Sequence, residues 1–184
     1  LLKIFERTYG PIRRDLRYAM EKPPEAQTAT AKQLAVPAVP EGPEYLLVDG
    51  YNVIFAWENL KALAQESLDL ARSQLIHLLC NYQGFRQCAV ILVFDAYKVK
   101  GNPGSVEQVH NIHVVYTKEA ETADSYIEKA THDLGKRHRV RVVTSDYQEQ
   151  IIILGNGALR ISALEFQEEY KRVEQAIQAY LQES

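Results

Sequence analysis

The chain has 184 residues, of which 46% are hydrophobic and 24% are charged, and its formal net charge is −3. This length suffices for one α/β domain of roughly 100–200 residues with an appendage. No apolar run approaches the roughly 20 residues that cross a bilayer, and the negative charge argues against a general nucleic-acid coat. Two cysteines, Cys80 and Cys88, are too few for a disulfide framework, so we expect reduced thiols and a cytoplasmic protein.

The first 43 residues differ in composition from the remainder. Residues 1–22 hold two short amphipathic stretches, and we expect an N-terminal appendage in which either stretch could be a short helix. Residues 23–43 contain five prolines, which is typical of a semi-extended linker. The charged start predicts no signal peptide, and the absence of an initial methionine is compatible with a fragment of a longer protein. The main domain is therefore expected at 44–184.

Within that domain, apolar runs alternate with helical patterns. Strands are expected at 45–49, 88–95, 111–117, 139–146 and 158–161. Helices are expected at about 60–82 (ended by Gly84), 121–138, 147–154 and 162–181, with loops at 50–59 and 96–104. This alternation predicts a three-layer α/β/α fold with a mainly parallel central sheet of about five strands.

Three of the predicted strands end in an aspartate, namely Asp49, Asp95 and Asp146. In a parallel sheet these side chains project at one edge, and Asp124 reaches the same edge from the first turn of a helix. Four neighbouring carboxylates repel one another unless a cation neutralises them, and Mg²⁺ or Mn²⁺ prefers such oxygen ligands. We therefore predict a site for one or two ions that activate a water and hold a phosphodiester. Each aspartate also has a purely structural explanation as a turn, strand-end or capping residue.

Further polar residues are predicted to support the acids. Asn52 could orient Asp49 or bind a phosphate, although asparagine is also an ordinary turn residue. Glu121 and Ser145 are predicted to lie next to the metal ligands and to support them without binding the ion directly.

A second group of residues is predicted to contact the substrate. Lys98 and Lys100 follow Asp95 and could bind phosphates as point charges. Tyr51 could stack on an unpaired base or simply pack inward, and Arg72 could face solvent or a carboxylate. The basic run at 136–141 starts at the sheet edge opposite the acids. Its charged side chains are either solvated on the surface or bind ribosomal RNA.

Four segments of the chain resemble the YacP-like branch of the NYN domain. The matching segments are LVDGYN at 47–52, VFDAY at 93–97, ETAD at 121–124 and TSDYQEQ at 144–150. They occur in the family's order, and the resemblance covers about residues 45–182. NYN domains belong to the PIN-like nuclease group, so the resemblance implies a metal-dependent RNA endonuclease. The acidic metal site that it implies consists of Asp49, Asp95, Asp124 and Asp146, with Asn52 as a polar neighbour.

The resemblance also implies a substrate and a partner. The YacP-like branch is associated with bacterial mRNA decay, which implies a translated message as the substrate and the ribosome as the partner. Residues 1–15 resemble the C-terminal tail of an elongation-factor-G-like GTPase of the ribosome-protection type. Two alternatives stay open, a catalytically inactive PIN-like module that binds RNA or the ribosome, and a small-molecule phosphatase.

Overall fold

A computed structural model describes residues 42–95, 104–118, 120–145 and 157–182. In these ranges a six-stranded sheet is packed between helices on both faces. The strands are β1 (Tyr45–Asp49), β2 (Ala89–Phe94), β3 (Ser105–Val109), β4 (Ile112–Tyr116), β5 (Val140–Val143) and β6 (Leu159–Ile161). The helices are α1 (Gly50–Ala56), α2 (Glu58–Glu66), α3 (Leu68–Arg86), α4 (Ala123–Leu134) and α5 (Ala163–Gln182).

The strand order is β3-β4-β2-β1-β5-β6, and every pairing is parallel except that of β3 with β4. The chain moves outward from β1 through β2 to β4 and then returns to the other side of β1 as β5. The order of the strands therefore reverses between β1 and β5. In open α/β sheets, ligands bind outside the carboxyl ends of the strands at such a reversal. The predicted α/β fold is confirmed, with β1 at its centre.

The two faces of the sheet carry separate hydrophobic clusters. Leu46 and Val48 point into a cluster with residues of α1, α2, α3 and α5. Leu47, between them, points to the opposite face, where α4 packs. This alternation is the ordinary two-residue period of a strand, and β1 is apolar on both faces because it is covered on both sides.

The helices after β1 differ from the prediction. The expected loop at 50–59 contains α1, because Asp49 caps a two-turn helix that its turn-forming residues hide in the sequence. The single helix expected at about 60–82 is two helices, separated by Ser67 in an extended conformation. Gly84 does not end α3, which continues to Arg86, because Gln87 takes the left-handed conformation of a helix end (φ 55°).

The edge strand β3 was not predicted. Its sequence SVEQV is largely polar and lacks the apolar run that marks the central strands. It folds back antiparallel on β4 through a turn in which His110 has a φ of 52°. The other predicted strands and helices in the described ranges are present, most with ends shifted by one to four residues. The appendage (1–22), most of the linker (23–43) and the helix expected at 147–154 lie outside the described residues.

Arg141 does not belong to a solvated basic run. It is 8% exposed and its guanidinium bonds Glu44 at 3.2 Å and the Tyr82 hydroxyl at 3.3 Å. It also forms a two-pronged ion pair with Glu169 on α5. Within the basic run, Lys136, Arg137 and Arg139 are exposed. Arg141 faces a layer of helices, where burying an unpaired charge would cost free energy. Its ion pair with Glu169 offsets this cost.

None of the helices that the structure describes combines the length and the apolar character that a membrane span requires.

Candidate active site

Asp49 is held in place by the turn that follows it. Its Oδ1 accepts a hydrogen bond from the backbone N–H of Asn52 at 3.0 Å, so Asp49 is the N-cap of α1. Its Oδ2 accepts a second hydrogen bond from the side-chain Nδ2 of Asn52 at 2.6 Å. Since each carboxylate oxygen has two lone pairs, both oxygens retain a position for a further ligand. Asn52 is thus the residue that orients Asp49.

Asp49 and Asp95 lie at the carboxyl ends of neighbouring parallel strands. The register pairs Asp49 with Val93, so Asp95 lies two residues farther along β2 and on the same face of the sheet. Burial raises the pKa of Asp49, hydrogen bonds from Asn52 and the Tyr51 backbone oppose this rise, and the charge of Asp95 adds to it. Asp49 is only 5% exposed. Its negative charge is therefore held in a place where a cation would stabilise it.

Asp124 lies in the first turn of α4 and is exposed. The residue before it, Ala123, is buried in one cluster with Leu47 and Val93. These two core residues each precede one of the paired aspartates by two positions, so the start of α4 lies over the acidic end of the sheet. The first turn of α4, which carries Asp124, therefore lies near this edge.

The described residues do not assemble a complete acidic cluster. In the ranges 42–95, 104–118, 120–145 and 157–182, no three Asp, Glu, His or Cys side chains form a group that could hold a metal. The fourth predicted acid, Asp146, lies outside the described residues, as do Lys98 and Lys100. What the structure brings together is thus the pair Asp49 and Asp95.

This pair suits a hard divalent cation. A Mg²⁺ ion is commonly bound by one or two protein carboxylates and keeps several waters for contact with phosphate oxygens. Asp49 and Asp95 supply two carboxylates of this kind, and a cation between them would offset both the burial of Asp49 and the repulsion between the pair. The residues present therefore fit such an ion.

Two residues predicted to support the acids have other partners. Glu121 precedes α4 and forms an ion pair with Lys129 at 2.7 Å. The hydroxyl of Ser145 accepts a long hydrogen bond, 3.4 Å, from the backbone N–H of Ala163, the first residue of α5. The contact of Ser145 secures the start of α5, since the first N–H groups of a helix lack partners within it.

Tyr51 and Arg72 lie in the protein interior rather than on an open surface. Tyr51 is 5% exposed, and its ring centroid lies 5.2 Å from that of Phe94. Its hydroxyl accepts a hydrogen bond of 3.0 Å from Nη1 of Arg72, which also forms an ion pair with Asp69. The inward-packing alternative describes the environment of Tyr51, and Arg72 joins α3 to α1.

Sequence reasoning missed the aromatic row that supports this end of the sheet. Ring centroids are 6.2 Å apart between Phe55 and Tyr51 and 5.6 Å apart between Phe94 and Tyr116. Phe94 is the residue before Asp95, so the alternation of β2 places it on the opposite face from the acid. The alternation of side chains along β2 could have predicted from the sequence that Phe94 packs on the face opposite Asp95.

Comparison with known proteins places these residues in a family. Residues 46–184 match the family model described as the YacP-like NYN domain. The chain is 45% identical over 136 residues to a protein of Bacillus subtilis named "Uncharacterized protein YacP", covering 73% of this chain and 79% of that protein.

Solved structures give the same result. The crystal structure of Rae1 (YacP) from Bacillus subtilis is 44% identical, with a TM-score of 0.66, and the match covers 76% of this chain and 80% of the other. Its W164L mutant is 41% identical, with a TM-score of 0.67, covering 76% and 82%. The chain therefore belongs to the YacP-like NYN domain family, within the PIN-like nuclease group.

Proposed function

We propose that this protein is an endoribonuclease that requires Mg²⁺ or Mn²⁺ and cleaves single-stranded RNA, with cytoplasmic mRNA on the ribosome as its substrate. The observation that carries the proposal is the pair Asp49 and Asp95 at the carboxyl edge of the sheet, in a chain of a nuclease family. Nucleases of the PIN-like group generally depend on divalent metals, and the pair offers the ligands that such ions prefer.

Each residue has a distinct part in this proposal. A divalent cation would supply an activated water and stabilise charge on the leaving oxygen. Asp49 and Asp95 would hold this cation, and Asn52 fixes the carboxylate of Asp49 through both of its oxygens. Asp124, at the start of α4, and Asp146 complete the acidic set.

The substrate contacts extend this assignment. Lys98 and Lys100 follow Asp95 in the chain and bind RNA phosphates as point charges. Translating ribosomes present the message, so cleavage should be faster with ribosomes programmed with an mRNA than with the same mRNA alone. Equal rates with and without ribosomes would remove the ribosome from the proposal and leave the nuclease.

The central test is Asp49→Asn. Asparagine can still accept the hydrogen bond that caps α1, so the fold should persist while cleavage in the presence of Mn²⁺ falls by at least roughly a hundredfold. The matched control is Asp133→Asn, which makes the same change at an exposed position on α4. Cleavage by Asp49→Asn at the wild-type rate would refute the assignment.

A second candidate is a PIN-like module that binds RNA or the ribosome without cleaving it. It is favoured by the absence of a three-ligand metal group within the part of the chain that the structure describes. Calorimetric titration with Mn²⁺ separates the two functions, because the nuclease should bind the ion and lose this binding in Asp49→Asn. RNA binding with neither Mn²⁺ binding nor cleavage would establish the second candidate. Turnover of a phosphomonoester without RNA cleavage would instead indicate the phosphatase.

A further inference from the structure

A groove with a volume of about 590 Å³ runs along the edge strand β6. Its walls come from the C-terminal turn of α3, from β6 and from the first half of α5. We call it the basic groove, and its cationic and apolar lining includes Phe85, Arg86, Arg141, Leu159, Arg160 and Arg172. Arg141 shares its face of the sheet with Val143, in the cluster that α3 and α5 cover, whereas the paired acids lie on the α4 face.

The charge of the basic groove is positive. Two glutamates also line it, but both are engaged: Glu169 pairs with Arg141 and lies 3.7 Å from Arg86. The carboxylate of Glu165 accepts a hydrogen bond of 2.8 Å from the backbone N–H of Ser162. Glu44 also pairs with Arg141, so four arginines against three glutamates leave one positive charge here, in a chain whose net charge is −3. An anion is therefore the ligand that this lining favours.

Apolar surface lies beside these guanidinium groups. Phe85 is 48% exposed and Leu159 is 61% exposed, although both line a concave site. A free phosphate would use only the arginines. A single-stranded nucleic acid uses both features, because its phosphates bind cationic groups and its bases stack on aromatic rings.

We propose that the basic groove binds a second segment of single-stranded RNA, with phosphates on Arg86 and Arg172 and a base on Phe85. This inference rests on the proposed function, since it takes RNA as the ligand. β6 lies two strands from β1, which is about 10 Å across a sheet. Because the groove and the acids lie on opposite faces, one RNA must pass around the β6 edge to occupy both. A long RNA can do so, and a very short one cannot.

The test measures RNA binding without cleavage. The full chain carrying Asp49→Asn is titrated, without divalent cations, with oligouridylates of about 20 and about four nucleotides, which bracket the usual footprint of a small domain. Adding Arg86→Gln and Arg172→Gln should weaken binding of the long RNA roughly tenfold, at about threefold to fivefold for each arginine. The slope of log K against log salt should become shallower by about 1.4, at about 0.7 for each phosphate contact.

The short RNA cannot reach both sites, so it reports on the groove alone and should lose binding in the same double variant. Lys61→Gln, which removes one exposed positive charge from α2, is the matched variant and should bind the long RNA like its parent. An unchanged melting temperature verifies that each variant is folded. Unchanged binding of the long RNA, or of the short RNA, in the double arginine variant would overturn the proposal.

Phe85 tests whether the ligand is a nucleic acid. Phe85→Leu keeps an apolar side chain but removes the ring, so it should weaken binding of the long RNA at least about fivefold, as loss of a stacked base does. Wild-type binding of the long RNA by Phe85→Leu would contradict base stacking on this ring and overturn that part of the proposal. The proposed function fails separately, if the wild-type chain with Mn²⁺ cleaves no RNA.

Discussion

At the scale of single residues, one short turn positions the candidate acid Asp49 at the carboxyl edge of the sheet. Asp49 is both the last residue of β1 and the N-cap of α1, so its carboxylate is positioned by the backbone of two elements. Asn52 occupies both oxygens of this carboxylate through one backbone and one side-chain donor. The hydrogen bond from the Asn52 side chain can be removed while the backbone hydrogen bond that caps α1 remains. The effect of the side-chain hydrogen bond on the site can therefore be measured separately.

We expect Asn52→Ala to lower the cleavage rate and the affinity for Mn²⁺ by about tenfold to a hundredfold, the usual effect of removing a group that orients a metal ligand. The backbone N–H at position 52 still caps α1, so stability should change little. Steady-state kinetics and Mn²⁺ titration measure the two effects. Asn59→Ala, at an exposed position on α2, is the control. Wild-type kinetics in Asn52→Ala would show that Asp49 needs no support from this side chain.

At the scale of elements, α1 approaches the sheet very closely where β1 ends. A Cβ atom added at Gly50 would lie 2.3 Å from the ring of Phe94, which is fully buried. Ring and backbone can meet in this way only because position 50 has no side chain. The same contact supports the aromatic row beneath the acids, so packing on one face of the sheet helps to set the site on the other.

We expect Gly50→Ala to destabilise the protein by about 1–3 kcal/mol, the usual cost of overpacking a core. Gly84→Ala is the matched control, because the added methyl group would meet no atom closer than 3.9 Å and lies within α3. It should stabilise the protein by up to about 1 kcal/mol, since alanine is the better helix former. Urea unfolding measures both changes. A Gly50→Ala variant as stable as Gly84→Ala would show that the Phe94 ring moves aside freely.

At the scale of the whole molecule, one buried ion pair joins distant parts of the chain. Arg141 on β5 bonds Glu44 before β1, Tyr82 on α3 and Glu169 on α5. Burial by itself would raise the pKa of Glu169, but hydrogen bonds from Arg141 and Tyr82 hold it below its ordinary value. Burial and the hydrogen bond to Glu169 raise the pKa of Tyr82 to about 12.

This network predicts loss of stability in acid. Because the pKa of Glu169 is lower in the folded than in the unfolded state, its contribution is present above the ordinary glutamate pKa and is lost as the pH falls through the folded value. We expect Glu169→Gln to cost about 3 kcal/mol at neutral pH and much less in acid, as measured by urea unfolding at both pH values.

The control for this effect is Glu168→Gln. Glu168 is exposed and pairs with Lys171 at 2.8 Å, so its removal should barely change the midpoint of unfolding at either pH. A difference between wild type and Glu169→Gln that is the same at neutral and acid pH would show that Glu169 stabilises the protein by packing rather than by charge.

Much of this arrangement could be predicted from local patterns. The apolar runs of β1 and β2 predict buried parallel strands, and the aspartates at their ends predict the edge of the candidate site. The Ser-x-x-Glu signal at Ser162 and Glu165 correctly predicts the start of α5, with both capping hydrogen bonds present. By contrast, α1 and β3 were not predicted. The turn-forming residues of α1 and the polar residues of the edge strand β3 show little hydrophobic periodicity.

The amino-acid sequence by itself determined the layered α/β class and the candidate acids, because these follow from periodicity and from where each strand ends. Only the tertiary structure decided which side chains meet. Arg141 is indistinguishable from its basic neighbours along the chain, yet it is the one opposite Glu169. Asp49 and Asp95 repel each other because β1 and β2 are adjacent, and Phe85, Arg86 and Arg172 share a groove because α3 and α5 meet at the β6 edge. Such contacts join residues far apart in sequence, so no local pattern encodes them.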